Sequence, residues 1–285
     1  MPELPDVEGF RSLFAARAAG RRVVDVEVLD AGVVRNTTPA SLRRSLRGRR
    51  FDQPERRGKW LVAPTGDGGT AEATVLFHFG MTGLLSWADG AGDRHTHDRV
   101  VFVTEDGELR YRDQRKLRGL WLARGPDEVD AVIGRQGPDA LGLGRRQLGE
   151  RLSARRAGLK SALMNQSVVA GLGNLVVDEV LWQARVHPAR RWTDLDRVER
   201  DRLSRALQRV LRASVRQGRV STRSDWLTGR RDEPDPRCPR CGRSLRRSQI
   251  GGRSTWWCPA CQPPGGDPSS RSSGRRASTP GAGGR

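Results

Sequence analysis

The sequence predicts an α+β chain of several domains: an N-terminal helix joined to a β-sandwich, then a helical domain, then a small four-cysteine module. Three observations carry this reading. Apolar spacing changes from helical to strand-like and back along the chain, turn residues cut the first half into short, regularly spaced runs, and all four Cys fall between positions 238 and 261. A length of 285 residues fits two domains and a module, at roughly 100–200 residues per domain.

Val7, Phe10, Leu13 and Phe14 recur at helical spacing, which predicts a helix over 5–19 that stops at Gly20. Strands are predicted over 23–29, 60–63, 74–79, 99–104, 109–112 and 120–123, with loops at Gly66, Gly68, Gly69 and over 89–93. The run Gly134-Arg-Gln-Gly137-Pro138, followed by Gly142 and Gly144, has the composition of a hinge. This divides the chain into a sandwich domain over 2–130, a hinge over 131–150, a helical domain over 151–234, a finger over 235–262 and a disordered basic tail over 263–285. Within the helical domain, short helices over 153–165 and 174–185 flank the turn Gly171-Leu172-Gly173. A longer one, capped by Thr193 and ended by Gly218, buries Leu195, Val198, Leu203, Leu207, Val210, Leu211 and Val215. Arg fills much of its other side, facing solvent or a polyanion.

Lys and Arg number 52 against 33 Asp and Glu, a formal charge of +19. That balance argues against a membrane protein or an enzyme of small neutral metabolites and for a nucleic-acid partner. No run of 18 apolar residues is present and the N-terminus lacks a secretory pattern, so a cytoplasmic location is expected. Clustered thiols in a reducing compartment point to metal. Cys238-x2-Cys241, sixteen residues, then Cys258-x2-Cys261 is the spacing of a four-thiolate zinc site with no open coordination position, hence a structural one. Between the pairs lie Arg243, Arg246, Arg247 and Arg253, with Trp256 and Trp257. A basic hairpin of this kind suits phosphate contacts, and a protein-binding zinc ribbon has the same look. His78, His95, His97 and His187 show no metal spacing and read as structural.

The chain opens Met1-Pro-Glu-Leu-Pro-Asp-Val-Glu8 and continues with Arg56-Arg-Gly-Lys-Trp60, His78-Phe-Gly-Met-Thr-Gly83, Gly171-Leu-Gly-Asn174 and the cysteine module. Taken alone, Pro2-Glu3 also reads as a helix start, with Pro early and an acid at the positive end of the dipole. As an ordered set over roughly residues 2–262, these motifs resemble the formamidopyrimidine-DNA glycosylase and endonuclease VIII family, and the PELP opening is closer to the formamidopyrimidine branch. The resemblance implies a helix–two-turn–helix element in the helical domain, one structural zinc and no organic cofactor. It also implies a monomeric bacterial repair enzyme acting on damaged or abasic double-stranded DNA at the nucleoid, both a glycosylase and an AP lyase.

By that resemblance, Pro2 is the nucleophile once Met1 is removed, Glu3 the acid/base beside it, and Asp6 a supporting carboxylate where the family usually has Glu. An α-amine titrates near ~7.7–8, so a neutral, attacking fraction exists at physiological pH. Lys59, grouped with Pro2 and Glu3 as catalytic, is expected to contact a phosphate beside the lesion, Asn174 and Arg253 to contact phosphates, and Lys160 to contact DNA. Flipping a base out of the stack leaves a gap, which Met81, Arg115 and Leu117 would fill. Leu117 replaces the family's usual Phe, and the connection over 219–237 is shorter than the loop that usually covers an extruded 8-oxoguanine. Oxidised purines are the expected substrates. Alternatives are oxidised pyrimidines or bulkier lesions, a protein that binds damage without cutting, and an RNA-binding zinc ribbon, which leaves Pro2-Glu3 unexplained.

Overall fold

In the computed structural model, which describes residues 1–66 and 72–264, helix α1 spans Leu4–Arg17. Pro5 lies in its first turn, where a missing N–H breaks no intrahelical bond, and Gly20, at φ +77°, turns the chain away. There follow β1 (Val23–Val28), α2 (Pro39–Leu46), β2 (Arg50–Phe51), β3 (Glu55–Arg57), β4 (Trp60–Gly66) and β5 (Ala73–His78). β6 (Leu84–Ala88), β7 (Asp98–Thr104), β8 (Gly107–Arg112) and β9 (Gly119–Ala123) complete the set. They form two sheets, β1-β7-β8-β6 and β2-β4-β5-β9, the latter with β3 paired on β4. Between the sheets Phe51 packs edge-on to Phe14 and Phe102, with ring centroids 4.9 and 5.8 Å apart, a favourable aromatic geometry.

The second half comprises α3 (Gly125–Ile133), α4 (Arg145–Ser153), α5 (Leu159–Met164), α6 (Asn174–Ala184), α7 (Arg197–Arg216) and the hairpin β10 (Arg246–Ile250)–β11 (Arg253–Trp257). α1 joins both halves. Its Val7 and Phe14 belong to the sandwich core, while Leu4 is fully buried in the helical core with Val176, Val180 and Leu207. Gly9 meets Gly218 beyond the end of α7 so closely that a Cβ would fall 2.5 Å from the Gly218 carbonyl oxygen.

Several local expectations change. The expected hinge holds the end of α3 and the start of α4. Of the expected helix over 153–165, only Leu159–Met164, α5, and the last residue of α4, Ser153, are helical, because the chain leaves the helix after Ser153 and is extended at Gly158, the N-cap of α5. Asp196, not Thr193, caps α7, its carboxylate accepting the Glu199 N–H at 2.8 Å, and Thr193 sits in a preceding 3₁₀ turn. Val198 is 64% exposed and so lies outside the buried stripe. Gly66 is a strand residue. Gly68, Gly69 and the tail from residue 265 lie outside the described residues. Among those described, no helix is long and apolar enough to cross a membrane.

Candidate active site and nucleic-acid interface

Glu3 is the N-cap of α1, yet its carboxylate serves another helix. Its two oxygens accept the N–H groups of Leu175 at 2.8 Å and Val176 at 3.0 Å. These are free donors of the first turn of α6, at the positive end of its dipole. The Leu4 N–H donates to the Gly171 carbonyl at 3.0 Å, so the start of the chain is sewn to the turn before α6. Gly173 makes the approach possible: a Cβ there would lie 2.2 Å from Glu3 Cδ. The Glu3 N–H in turn donates to Asp6 Oδ2 at 2.9 Å. Burial pushes the Glu3 carboxyl above its ordinary range, against the opposing pull of Lys59 and the two α6 amides. A carboxyl that holds its proton more firmly than usual suits an acid. Pro2, half-buried, is covalently fixed next to it.

Lys59 occupies the two-residue turn between β3 and β4, after Gly58 at φ +59°, the left-handed conformation such hairpins favour at that position. Burial pulls its ammonium below the ordinary lysine range, the Glu3 carboxylate opposes this, and the Arg253 charge adds to it. Glu3, Lys59 and Arg253, from three distant segments, therefore share one electrostatic environment. Arg56 fixes the turn. It donates to Glu8 of α1 at 2.9 Å and, through both terminal nitrogens, to Asp139 at 2.5 and 3.0 Å, tying the sandwich to the chain that enters the helical domain. Neither role was apparent from the sequence.

His78 shares this region, although it was expected to be merely structural. Its Nδ1 accepts the Gly80 N–H at 3.1 Å, which leaves the neutral ring's proton on Nε2 as a donor. Burial first, then the Arg118 and Lys59 charges, hold it down to about 4. Its ring meets Trp60 edge-on, with centroids 4.8 Å apart.

Met81 lies in the turn between β5 and β6, and Arg115 and Leu117 follow β8. Asp113 connects the two loops: Thr82 donates to its Oδ1 at 2.5 Å, as does the Arg115 N–H at 3.1 Å. Met81 and Leu117 are 40% and 51% exposed, unusual for large apolar side chains in this chain, and the Arg115 guanidinium approaches the Met81 sulfur at 3.0 Å. The three expected gap-filling residues thus share one apolar and cationic edge. Asn174 is the first residue of α6, with a buried Oδ1 that has no partner among the described residues. Arg253, exposed, starts β11.

Lys160 requires a correction. Its side chain is fully buried, pairing with Asp178 at 2.5 Å and donating to the Ser254 carbonyl at 3.2 Å, so its ammonium is not presented to DNA. Asp178 also accepts from Arg231 at 3.1 Å and from the Trp256 N–H at 3.1 Å. It is a buried hub that docks β11 onto α6 and helps hold Arg253 in place.

The four sulfurs of Cys238, Cys241, Cys258 and Cys261 lie within 4.8 Å of one another, with Cys238–Cys261 at 3.9 Å and Cys241–Cys258 at 3.6 Å. Zn–S bonds of ~2.3 Å place tetrahedral sulfurs about 3.8 Å apart, so the cluster fits one structural zinc. The Trp182 indole N–H donates to Cys238 Sγ at 3.4 Å, an outer hydrogen bond of the kind that orients metal ligands. Cys258→Ser is expected to release the metal, loosen β10–β11 and weaken lesion-duplex binding about tenfold, roughly 1.4 kcal/mol. Metal analysis and fluorescence anisotropy check this, and a variant that keeps its zinc and its affinity would refute it.

The chain matches the formamidopyrimidine-DNA glycosylase N-terminal domain over residues 1–120, the formamidopyrimidine-DNA glycosylase H2TH domain over 137–225, and the zinc finger found in FPG and IleRS over 236–264. It is 37% identical over 279 residues to the formamidopyrimidine-DNA glycosylase of Symbiobacterium thermophilum, covering 92% of this chain and 90% of that one. With the namesake protein of Acidothermus cellulolyticus it shares 36% over 284 residues, covering 92% and 98%. The solved structure of the Lactococcus lactis protein, non-covalently bound to DNA containing an AP site, superposes with a TM-score of 0.81 at 28% identity, covering 92% of this chain and 100% of that one. A mutant of that protein in complex with Fapy-dG-containing DNA gives 0.82 at 27% identity, with the same coverage. With three consecutive domain matches and relatives aligned nearly end to end, the chain belongs to the formamidopyrimidine-DNA glycosylase family.

Proposed function

We propose that this protein excises oxidised purines, 8-oxoguanine and formamidopyrimidine, from double-stranded DNA and then cleaves the strand, with the Pro2 amine as nucleophile after removal of Met1. The observation that carries this is the placement of Glu3 on the first amides of α6, beside Pro2 and under the influence of Lys59. The neutral amine adds to C1′ and the base departs with a proton. Glu3 protonates the ring oxygen, the sugar opens, and the resulting iminium is an electron sink. Loss of the C2′ proton expels the 3′ phosphate, a second elimination expels the 5′ phosphate, and water releases the amine.

Lys59, Asn174 and Arg253 hold the phosphates around the flipped nucleotide. Met81, Arg115 and Leu117 fill the space it leaves, and Asp6 steadies Glu3 through its backbone N–H. Zinc supplies no reactive group; Cys238, Cys241, Cys258 and Cys261 use it to stiffen the hairpin that carries Arg253. The protein acts as a monomer on the nucleoid in the bacterial cytoplasm.

One observation favours a second substrate class. The short connection after α7 is tied down, with the Thr228 N–H and hydroxyl donating to Glu179 Oε2 at 3.0 and 3.2 Å and the hydroxyl also to the Ser221 carbonyl at 2.6 Å. A base pocket without a long cover suits oxidised pyrimidines or bulkier lesions. Side-by-side excision of 8-oxoguanine, formamidopyrimidine, thymine glycol and dihydrouracil separates the two readings. Borohydride is expected to trap a covalent adduct between Pro2 and an abasic duplex, and Pro2→Gly, which still offers a primary α-amine, should weaken or abolish base removal. An adduct mapped to a lysine, or a purified protein that keeps Met1 and still cuts, would overturn the nucleophile.

A further inference from the structure

Helix α7 carries a charge pattern that the lesion site does not use. Arg205, Arg209, Arg212 and Arg216 fall at i, i+4, i+7 and i+11, one stripe about 16 Å long at 1.5 Å per residue. All four are exposed. The stripe is diametrically opposite the helix's buried positions Leu203, Leu207, Val210 and Ser214. The side chains of Arg205, Arg212 and Arg216 have no hydrogen-bond or ion-pair partner among the described residues, and Arg209 gives only its Nε, to Gln183 at 2.9 Å.

The stripe borders a groove. Gln208 holds the preceding loop against α7 by donating to the Ala140 and Leu143 carbonyls at 3.2 and 3.0 Å. Between loop and helix lies an open cavity of about 780 Å³ with Leu141 and Leu143 in its wall. Ser204, 8% exposed, lines it with a buried hydroxyl that lacks any partner among the described residues. Arg145, shared with a second cavity of about 830 Å³, continues the basic surface toward Arg197 and Arg200. Its acids are Asp201, paired with Arg145 at 2.6 Å, and Glu150, paired loosely with Arg146 at 3.8 Å. The excess is strongly positive.

This surface is not the lesion cleft. α6 uses Asp178 and Trp182 toward the zinc hairpin and its other side, Val177, Val180, Leu181 and Ala184, toward the core shared with α7. The Arg stripe looks outward from beyond that core.

We propose that the α7 stripe and its groove form a second DNA-binding surface, which holds the backbone of an undamaged duplex segment while the cleft is occupied. Duplex DNA presents one charge per ~1.7 Å of axis, so a 16 Å row of arginines can meet phosphates continuously, and the apolar wall at Leu141 suits deoxyribose. The substrate is itself a polymer, so neighbouring segments of the same molecule are present at high effective concentration. The inference takes DNA as the substrate and needs none of the chemistry at Pro2.

The full-length protein is saturated with a short duplex bearing a tetrahydrofuran abasic analogue, with which no imine can form. A second, labelled, undamaged duplex is then titrated in and stoichiometry is read by sedimentation. A complex of one protein with two duplexes is expected at low salt. For about four neutralised phosphates, the logarithm of the second affinity should fall with log salt at a slope near −3.6. R205A/R209A/R212A/R216A should weaken the second duplex at least about tenfold with unchanged melting and unchanged single-turnover excision on a short lesion duplex, while the four-fold Arg→Lys variant retains it. The proposal is overturned by one-to-one complexes at every salt concentration, by a second duplex that the alanine variant binds as well as wild type, or by a polyglutamate peptide taking the groove in preference to DNA.

Discussion

Glu3→Gln is expected to lower base excision on the order of 10²–10⁴-fold, the usual worth of a positioned acid or base. Cleavage at a preformed abasic site should suffer much less, because part of that sugar is already the open aldehyde and needs no protonation of the ring oxygen. Single-turnover assays on a lesion duplex and an abasic duplex read the two rates separately. Equal losses, or none, would remove Glu3 from the acid role. Stability should respond as well. The amide turns an NH₂ toward one of the two α6 donors now satisfied by the carboxylate, costing about 1 kcal/mol, as for a lost cap. The folded-state pKa of Glu3 is raised, so the native protein gains from protonation at low pH. That gain is lost as pH rises from about 4.5 through the raised value. The Gln variant lacks this dependence, so its deficit in melting temperature should be largest in acid and shrink as pH climbs.

Gly173→Ala should be nearly as damaging for a purely steric reason. The backbone there, at φ −130°, accepts any residue, so no conformational strain enters. The new methyl would, however, lie 2.2 Å from Glu3 Cδ and 2.5 Å from both Cγ and Oε1, well inside van der Waals contact. Either Glu3 leaves the end of α6 or the turn moves. In both cases the carboxyl loses its place beside Pro2. A loss of at least 10²-fold in excision is expected from a displacement near 1 Å, with about 1–3 kcal/mol of destabilisation from overpacking. Excision kinetics and thermal melting decide it, and wild-type excision by this variant would show that Glu3 need not sit where the structure places it.

The sequence disclosed residue types and their order far better than their partnerships. The paired cysteines were legible from their spacing, whereas Pro2-Glu3, Lys59, Asn174 and Arg253 stood out only through the ordered set of motifs that resembles a family, each being ambiguous alone. The core helix of the second half was legible because Leu203, Leu207, Val210 and Leu211 repeat at 3.6-residue spacing. Glu3 capping a helix 172 residues away leaves no local trace, and neither does Arg56 reaching Asp139 across 83 positions. Lys160 was misjudged because a lone lysine in a basic chain reads as a surface charge. Only the fold reveals that Asp178 and Ser254 enclose it. β6 escaped notice because Leu84-Leu-Ser-Trp-Ala88 is short and weakly alternating, and its strand state comes from pairing with β8. Thr193 lost the cap of α7 to Asp196 because Asp196 and Glu199 satisfy each other's N–H groups at 2.8 and 3.0 Å, a reciprocal arrangement that a single hydroxyl cannot match.

The stitching of the chain's first residues to the α6 turn has a consequence for biosynthesis. The partners of Glu3 are Leu175 and Val176, so its carboxylate cannot be satisfied until a segment more than 170 positions later has been made. At about 5–20 residues per second, those partners are made roughly 9–35 s after Glu3. The sandwich can thus close on Val7 and Phe14 of the same helix while the Glu3 carboxylate still waits for α6, so the acid of the site is set in place only when the second domain arrives.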